Sequence, residues 1–319
     1  MYKKSLDFFV VLGFVTLFFV LYLPSPAFAN AGTPLMWAGF FHLFIGNAII
    51  GLIEGFIISY LFKTKKILSI ILMVIANYAS MFLGLIFMKA LDSKIENIIN
   101  IYNIFYAVIM LIIFCYLITL IIEWPFCFIL FAKQEKRIGK SFRAIIIANA
   151  ISYILLILFY WSFSGTSLIS GTKIDKSLAF AKNDKIWVYY VSSTDGDKYR
   201  TKLNASSIEK IKDEKYAHFF VHPTNNVDLR LEAERDWDVH VGFWAIEGLL
   251  AKNKKTGQHF RIALDTPLIA WFISNLTILP DDQVVFQLGE NQIILLDLNS
   301  RKMGLIAKGK SPVVIIENK

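Results

Sequence analysis

The chain has 319 residues, 56% of them hydrophobic, with a mean hydropathy of +0.54 and a formal net charge of +8. That hydropathy excludes an ordinary soluble protein of this length. The charge gives no support for nucleic acid: residues 1–164 carry 12 Lys and Arg against 6 Asp and Glu, residues 165–319 carry 21 against 19, so the basic excess flanks apolar runs and does not coat a soluble surface.

Residues 1–29 read as a secretory signal peptide. Lys3 and Lys4 precede an apolar run from Phe8 to Leu23, Pro24 and Pro26 break it, and Ala27-Phe28-Ala29 supplies small residues at a cleavage site. An uncleaved anchor helix is the alternative, and either reading places the residue after Ala29 outside the cytoplasm. Residues 30–164 form the predicted transmembrane domain, with four spans at about 35–62, 67–91, 98–131 and 141–163, each long enough for a ~30 Å hydrocarbon core. The third is overlong, and Pro125 is expected to kink it or end it early.

Loop charge sets the expected orientation. The 63–66 connection holds three Lys, the 133–143 connection holds five Lys and Arg, and the 92–97 connection is nearly neutral. The first two are therefore predicted cytoplasmic and the third outside, which carries residues 165–319 outside as well.

The stretch from Gly39 to Gly55 is unusual for a span because it keeps His42, Asn47 and Glu54. Ionisable groups at membrane depth are expensive and usually have a partner or a use. On a helix, Asn47, Gly51 and Glu54 share one face, and Gly46, Gly51, Gly55 and, on the second span, Gly84 mark positions where helices can approach closely. His42 lies about 140° from Asn47 and falls outside that group. Glu54 stands nine residues before Lys63 and Glu123 ten before Lys133, so both are at similar depth in the cytoplasmic half. Asn77 and Asn149, counted from Lys66 and Arg143, fall in the same half. The predicted site is an intramembrane polar centre of Asn47, Glu54, Asn77, Glu123 and Asn149. It would serve as a proton or cation site, as a small polar-substrate site, or as a set of interhelical hydrogen bonds that fixes register. Glu123 has a separate option, an ion pair with Lys133 or Arg137.

The remainder, 165–319, begins with a short polar hinge, Ser164-Gly165-Thr166. It continues as short β-branched and aromatic runs with turn signals about every ten residues, the pattern of an all-β domain. A sandwich and a partial propeller-like meander fit equally well, with no clean 40–45-residue repeat. From Asp228 to Val241 apolar and acidic residues alternate. Asp236, Asp238 and His240 on the polar face are candidate ligands for a divalent cation, although same-face neighbours stand about 6.8 Å apart and a solvated acidic face explains them too. The pair His218 and His222 has zinc-ligand spacing only if helical. Cys115 and Cys127 cannot pair within one helix. No H-E-x-x-H, G-x-S-x-G, phosphate loop or C-x-x-C occurs, so no cofactor is expected.

The sequence thus predicts an α-helical membrane bundle joined to an extracytoplasmic all-β domain. The expected role is that of a cell-envelope anchor whose β domain binds a partner or ligand. The expected partners are the lipid bilayer and another envelope or membrane protein, with an oligomer left open and nucleic acid excluded. Ion- or proton-coupled transport through the polar centre is the alternative, an intramembrane enzyme the second. No inverted repeat relates 35–91 to 98–163.

Overall fold

The computed structural model describes residues 34–212, 235–242 and 248–316, with only the backbone described at Pro34, Trp37 and 88–97. The signal segment, the pair His218 and His222, and the 228–234 part of the acidic strand lie outside the described residues.

Helix α1 (Pro34–Phe41) runs through a π turn (His42–Gly46) into α2 (Asn47–Phe62). Then come α3 (Lys66–Ile98), α4 (Ile104–Leu130) and α5 (Arg137–Phe163). Four stretches are long and apolar enough to cross a membrane, Ala38–Phe62, Lys66–Phe87, Ile104–Leu130 and Arg137–Phe163, and they mark the chain as a multi-pass membrane protein.

Three span boundaries differ from expectation, and the simplest is the fourth span, which begins at Arg137 and not at 141. The segment 92–97, expected as a loop, continues α3 to Ile98. The third span starts at Ile104 because Asn100 and Asn103 form a side-chain-locked turn. Asn103 Oδ1 accepts from the Asn100 amide at 2.8 Å, and Asn100 Oδ1 accepts from the Tyr102 amide at 2.9 Å. Pro125 does not end α4, which reaches Leu130.

Beyond α5 the hinge is not a free linker. Gly165 and Asp265 exchange backbone hydrogen bonds, both 2.8 Å. A short helix, α6 (Ser167–Gly171), then leads to β1 (Lys173–Ile174), and its Ser167 hydroxyl oxygen accepts from the Ala263 amide at 2.9 Å.

The β domain continues with β2 (Ile186–Ser192), β3 (Lys198–Lys202), β4 (Ile208–Lys210), β5 (Trp237–Val241), β6 (Leu249–Asn253) and β7 (His259–Ile262). After these come β8 (Leu264–Asp265), β9 (Ala270–Trp271), β10 (Ile273–Ile278), β11 (Gln283–Leu288), β12 (Gln292–Asp297) and β13 (Lys302–Ile316). The main sheet runs β10-β11-β12-β13-β2-β3-β4 by antiparallel pairs, with β1 parallel to β13, while β5-β6-β7 and β8-β9 form smaller sheets. Strand β13 joins two meanders. Its first part pairs with β12 and its second with β2, and the register slips between Lys310 and Val313, where Pro312 has no amide hydrogen to give. The β11–β12 hairpin turns at Gly289, whose φ of +62° suits glycine.

Strands β11 and β12 are buried along both faces. One face joins a core that holds Trp237, Leu249, Ile262 and Trp271 from the smaller sheets, and the other packs against Leu178, Val188 and Tyr190. The first of these cores also contains Ile99, Ile101 and Ile104 from the turn between α3 and α4. The Ile101 amide donates to Gln292 Oε1 at 2.9 Å, and the Tyr102 hydroxyl oxygen accepts from the Leu305 amide at 3.0 Å. The bundle therefore completes the hydrophobic core of the β domain.

Candidate functional site

Four helices of the bundle each bring a polar side chain inward because the alternative is to expose it to hydrocarbon. Glu54 on α2 and Glu123 on α4 have 0% of their surface exposed. Glu54 Oε2 accepts from Asn77 Nδ2 at 2.6 Å, and Oε1 from the Ser152 hydroxyl at 2.5 Å. Glu123 Oε2 accepts from Asn149 Nδ2 at 2.9 Å, and Oε1 from the Ser80 hydroxyl at 2.8 Å. Each glutamate takes an amide from the next helix of its own hairpin and a hydroxyl from the other hairpin. Two half-sites with exchanged partners are what a twofold relation between α2–α3 and α4–α5 produces.

That relation is written in the residues. Ser69, Ile75, Ala76, Asn77 and Ser80 on α3 recur 72 positions later as Ser141, Ile147, Ala148, Asn149 and Ser152 on α5. The motif is S-x5-I-A-N-x2-S. Ile53, Glu54, Leu61 and Phe62 on α2 recur 69 positions later as Ile122, Glu123, Leu130 and Phe131 on α4. The equivalent rings of Phe62 and Phe131 meet edge to face at 5.9 Å. The repeat is parallel, in the sense that both hairpins run in the same direction, so a search for an inverted repeat passes over it.

Hydrogen-bond bookkeeping shows what the site can do. Asn77 also donates to the Met73 carbonyl at 3.0 Å and Asn149 to the Ile145 carbonyl at 3.3 Å, which uses both hydrogens of each amide. Ser152 lies between Glu54 Oε1 and the Asn149 carbonyl, at 2.5 and 3.1 Å; Ser80 lies between Glu123 Oε1 and the Asn77 carbonyl, at 2.8 and 3.0 Å. Each hydroxyl has one hydrogen and faces two acceptors. Each serine hydrogen therefore serves the glutamate oxygen or the helix carbonyl, one at a time, and all four donors to the two carboxyl groups are neutral. No salt bridge reaches either glutamate among the described residues, and Glu123 is not paired with Lys133 or Arg137.

Asn47 is not part of this network. Its amide donates to the carbonyls of His42 and Leu43, at 3.0 and 3.3 Å, and to Met81 Sδ at 3.1 Å. It serves the π turn, where one extra residue shifts the helix register and frees carbonyls. The Tyr78 hydroxyl donates to another of them, Phe44, at 2.6 Å. His42 Nδ1 is 2.6 Å from the Tyr160 hydroxyl and bonds neither glutamate.

The glycines divide. A Cβ at Gly51 would lie 2.5 Å from Val74 Cα, and one at Gly55 2.5 Å from Ile70 Cα, so α2 rests on the backbone of α3. At Gly46 a Cβ would meet only its own helix's His42 ring, at 3.0 Å, and at Gly84 nothing lies within 4 Å.

Sequence reasoning missed Ser80 and Ser152 as partners of the glutamates. The 72-residue offset between the two serine–asparagine motifs was the signal that could have found them.

In the β domain, Asp238 and His240 are exposed on β5 and Asp236 pairs with Lys255 at 2.6 Å. Among the described residues no group of three His, Cys, Asp or Glu side chains is placed to hold a metal ion. Cys115 and Cys127 are both free. Burial raises the Asp265 carboxyl to about 6, with Arg261 pulling the other way.

No protein-family model, no curated protein and no solved structure matches this chain.

Proposed function

We propose that this chain is a membrane anchor of the cell envelope that holds its β domain against the outer face of the cytoplasmic membrane, as a fixed platform for a partner protein or ligand. One observation carries the reading: Ile99, Ile101 and Ile104 of the bundle lie inside the β domain's own core. A domain tethered by a linker needs no such shared core, whereas a platform whose orientation matters does. The orientation is supported by loop charge. With helices that alternate in direction, the basic connections after α2 and after α4 share one end of the bundle, and the turn that enters the β domain lies at the other. The N-terminal signal segment supports the same sense of insertion.

The burial of Glu54 and Glu123 favours a locking role for the polar centre over an ion path, because neither carboxyl has accessible surface. The enzyme reading has no support in the geometry, since His42 is engaged by Tyr160 and not by a carboxylate.

Two measurements test the proposal. In a variant without Cys115 and Cys127, a single cysteine at Lys176 is expected to react with a membrane-impermeant maleimide in intact cells, and one at Lys136 only after lysis. The reverse pattern overturns the orientation. Ile101→Asp in the full chain is expected to make the β domain protease-sensitive while the helices remain protected; unchanged protection would sink the shared-core platform.

A further inference from the structure

A groove of about 440 Å³ opens between α4, α5 and the start of the β domain. Its walls are Phe105 to Cys115 on α4 and Tyr153 to Trp161 on α5, with Pro267 and Leu268 of the β domain as a roof. Neither glutamate lines it, so it is separate from the polar centre.

Three observations define its occupant. The first is length. From Phe105 to Cys115 and from Tyr153 to Ser164 the walls run about 15 Å along the helices, which is one leaflet of a ~30 Å hydrocarbon core. Trp161, 70% exposed on one wall, and Phe105 on the other place the mouth toward lipid. The second is charge. No Lys, Arg, Asp or Glu lines the groove, and its one histidine, His42, has Nδ1 engaged by the Tyr160 hydroxyl at 2.6 Å, so no fixed charge there pairs with a phosphate, carboxylate or amine. The third is the state of three of the four Ser and Thr hydroxyls at the roof, Thr166 being the fourth. Ser164 already donates to the Tyr160 carbonyl at 2.8 Å, Ser170 to the Thr166 carbonyl at 3.2 Å and Thr266 to the Ile269 carbonyl at 2.7 Å. Their hydrogens are spent and lone pairs remain, so they can receive a hydrogen bond from a ligand but not give one.

We propose that this groove binds one long hydrocarbon chain that ends in a hydroxyl, a lipid alcohol of the leaflet next to the β domain, with the chain between α4 and α5 and its O–H donated to one of the roof serines, Ser164 or Ser170. The size is that of an ordinary small-molecule site.

The test uses the full chain in phospholipid nanodiscs with a diazirine-bearing hexadecanol as the probe. Photo-adducts are expected to concentrate within 105–115 and 153–164 and to be displaced by excess unlabelled hexadecanol. Ile112→Trp and Leu156→Phe fill the groove from opposite walls, and each is expected to cut labelling at least fivefold. Ile121→Trp, on a lipid-facing surface of α4 that is 71% exposed, leaves labelling unchanged. Palmitate, with a carboxylate for a head, is expected to compete at least tenfold less well than hexadecanol. Adducts spread evenly over every exposed helix face, or labelling that survives both filling variants in folded protein, would show ordinary lipid contact and overturn the site. A loss in only one filling variant overturns it as well, because two walls of one site must agree. Equal competition by palmitate overturns the assignment of the head.

Discussion

The two helical hairpins carry the same polar motif and solve helix packing differently. In the first, Gly51 and Gly55 let α2 sit on the backbone of α3. In the second, the equivalent positions are Leu120 and Trp124, and the Trp124 indole nitrogen donates to the Ser141 hydroxyl at 3.1 Å. The apolar groove lies further along that same seam. Yet Glu54 and Glu123 have matching partners, an asparagine from the same hairpin and a serine from the other. The polar network is therefore insensitive to how tightly its own hairpin packs. What fixes it is the exchange of serines between hairpins, which no change confined to one seam removes.

The comparison can be broken most forcefully by exchange. Gly51→Leu places in the first hairpin what the second has at Leu120. It drives a side chain into the Val74 backbone and is expected to cost about 3 kcal/mol or prevent assembly, read as loss of monodisperse protein and a lowered melting temperature. Next, Glu54→Ala and Glu123→Ala each strand an amide and a hydroxyl in a dry interior and leave a cavity, at about 3 kcal/mol each. The repeat predicts the same loss in both; a large loss in one alone would show that the half-sites are not equivalent.

The glutamine variants sharpen the point. In Glu54→Gln and Glu123→Gln the amide oxygen still accepts from asparagine, and the amide nitrogen can donate to the serine oxygen, which frees the serine hydrogen for the helix carbonyl. Thermal stability in nanodiscs is expected to change by less than about 1 kcal/mol. A loss as large as the alanine variants would mean that the sites hold ionised carboxylates.

A smaller effect comes where the second hairpin enters the sheet. Asp265 has its carboxyl raised to about 6 in the folded chain, from an unfolded value of about 3.9. The folded state therefore binds the extra proton between those values. Its stability falls as pH rises from about 4 to about 6 and is flat above that. A drop of a few degrees in melting temperature over that window is expected, and Asp265→Asn should abolish the slope. The least effect is assigned to Gly84→Ala. With open space around it, the change is expected to leave the stability within about 0.5 kcal/mol of the parent, in contrast to Gly51.

Much of the bundle was legible in the chain because it rests on local quantities. Hydropathy over twenty residues gives spans, and a rise of 1.5 Å per residue puts Glu54 and Glu123 at one depth above their basic loops. The π turn was not legible, since one extra residue in an apolar run leaves no mark in composition. Ile99, Ile101 and Ile104 read as the start of a span, because apolar residues bound for lipid and for a protein core look alike. Asn47 shares a helical face with Glu54 on an ideal wheel, and the π turn gives its amide carbonyls nearer to hand.

By itself, then, the sequence determined four apolar helices, their alternating basic and neutral connections, a strand-rich second half, and two carboxylates in the bundle's interior. Those features depend on each residue's own preference for water or hydrocarbon. Only the tertiary structure decided which serine and which asparagine each glutamate meets, that the β domain borrows its core from the turn between α3 and α4, and that one seam is closed while the other opens into a groove. Partner choice depends on which helices pack together and how closely. That is a property of whole surfaces in contact, and no single stretch of sequence carries it.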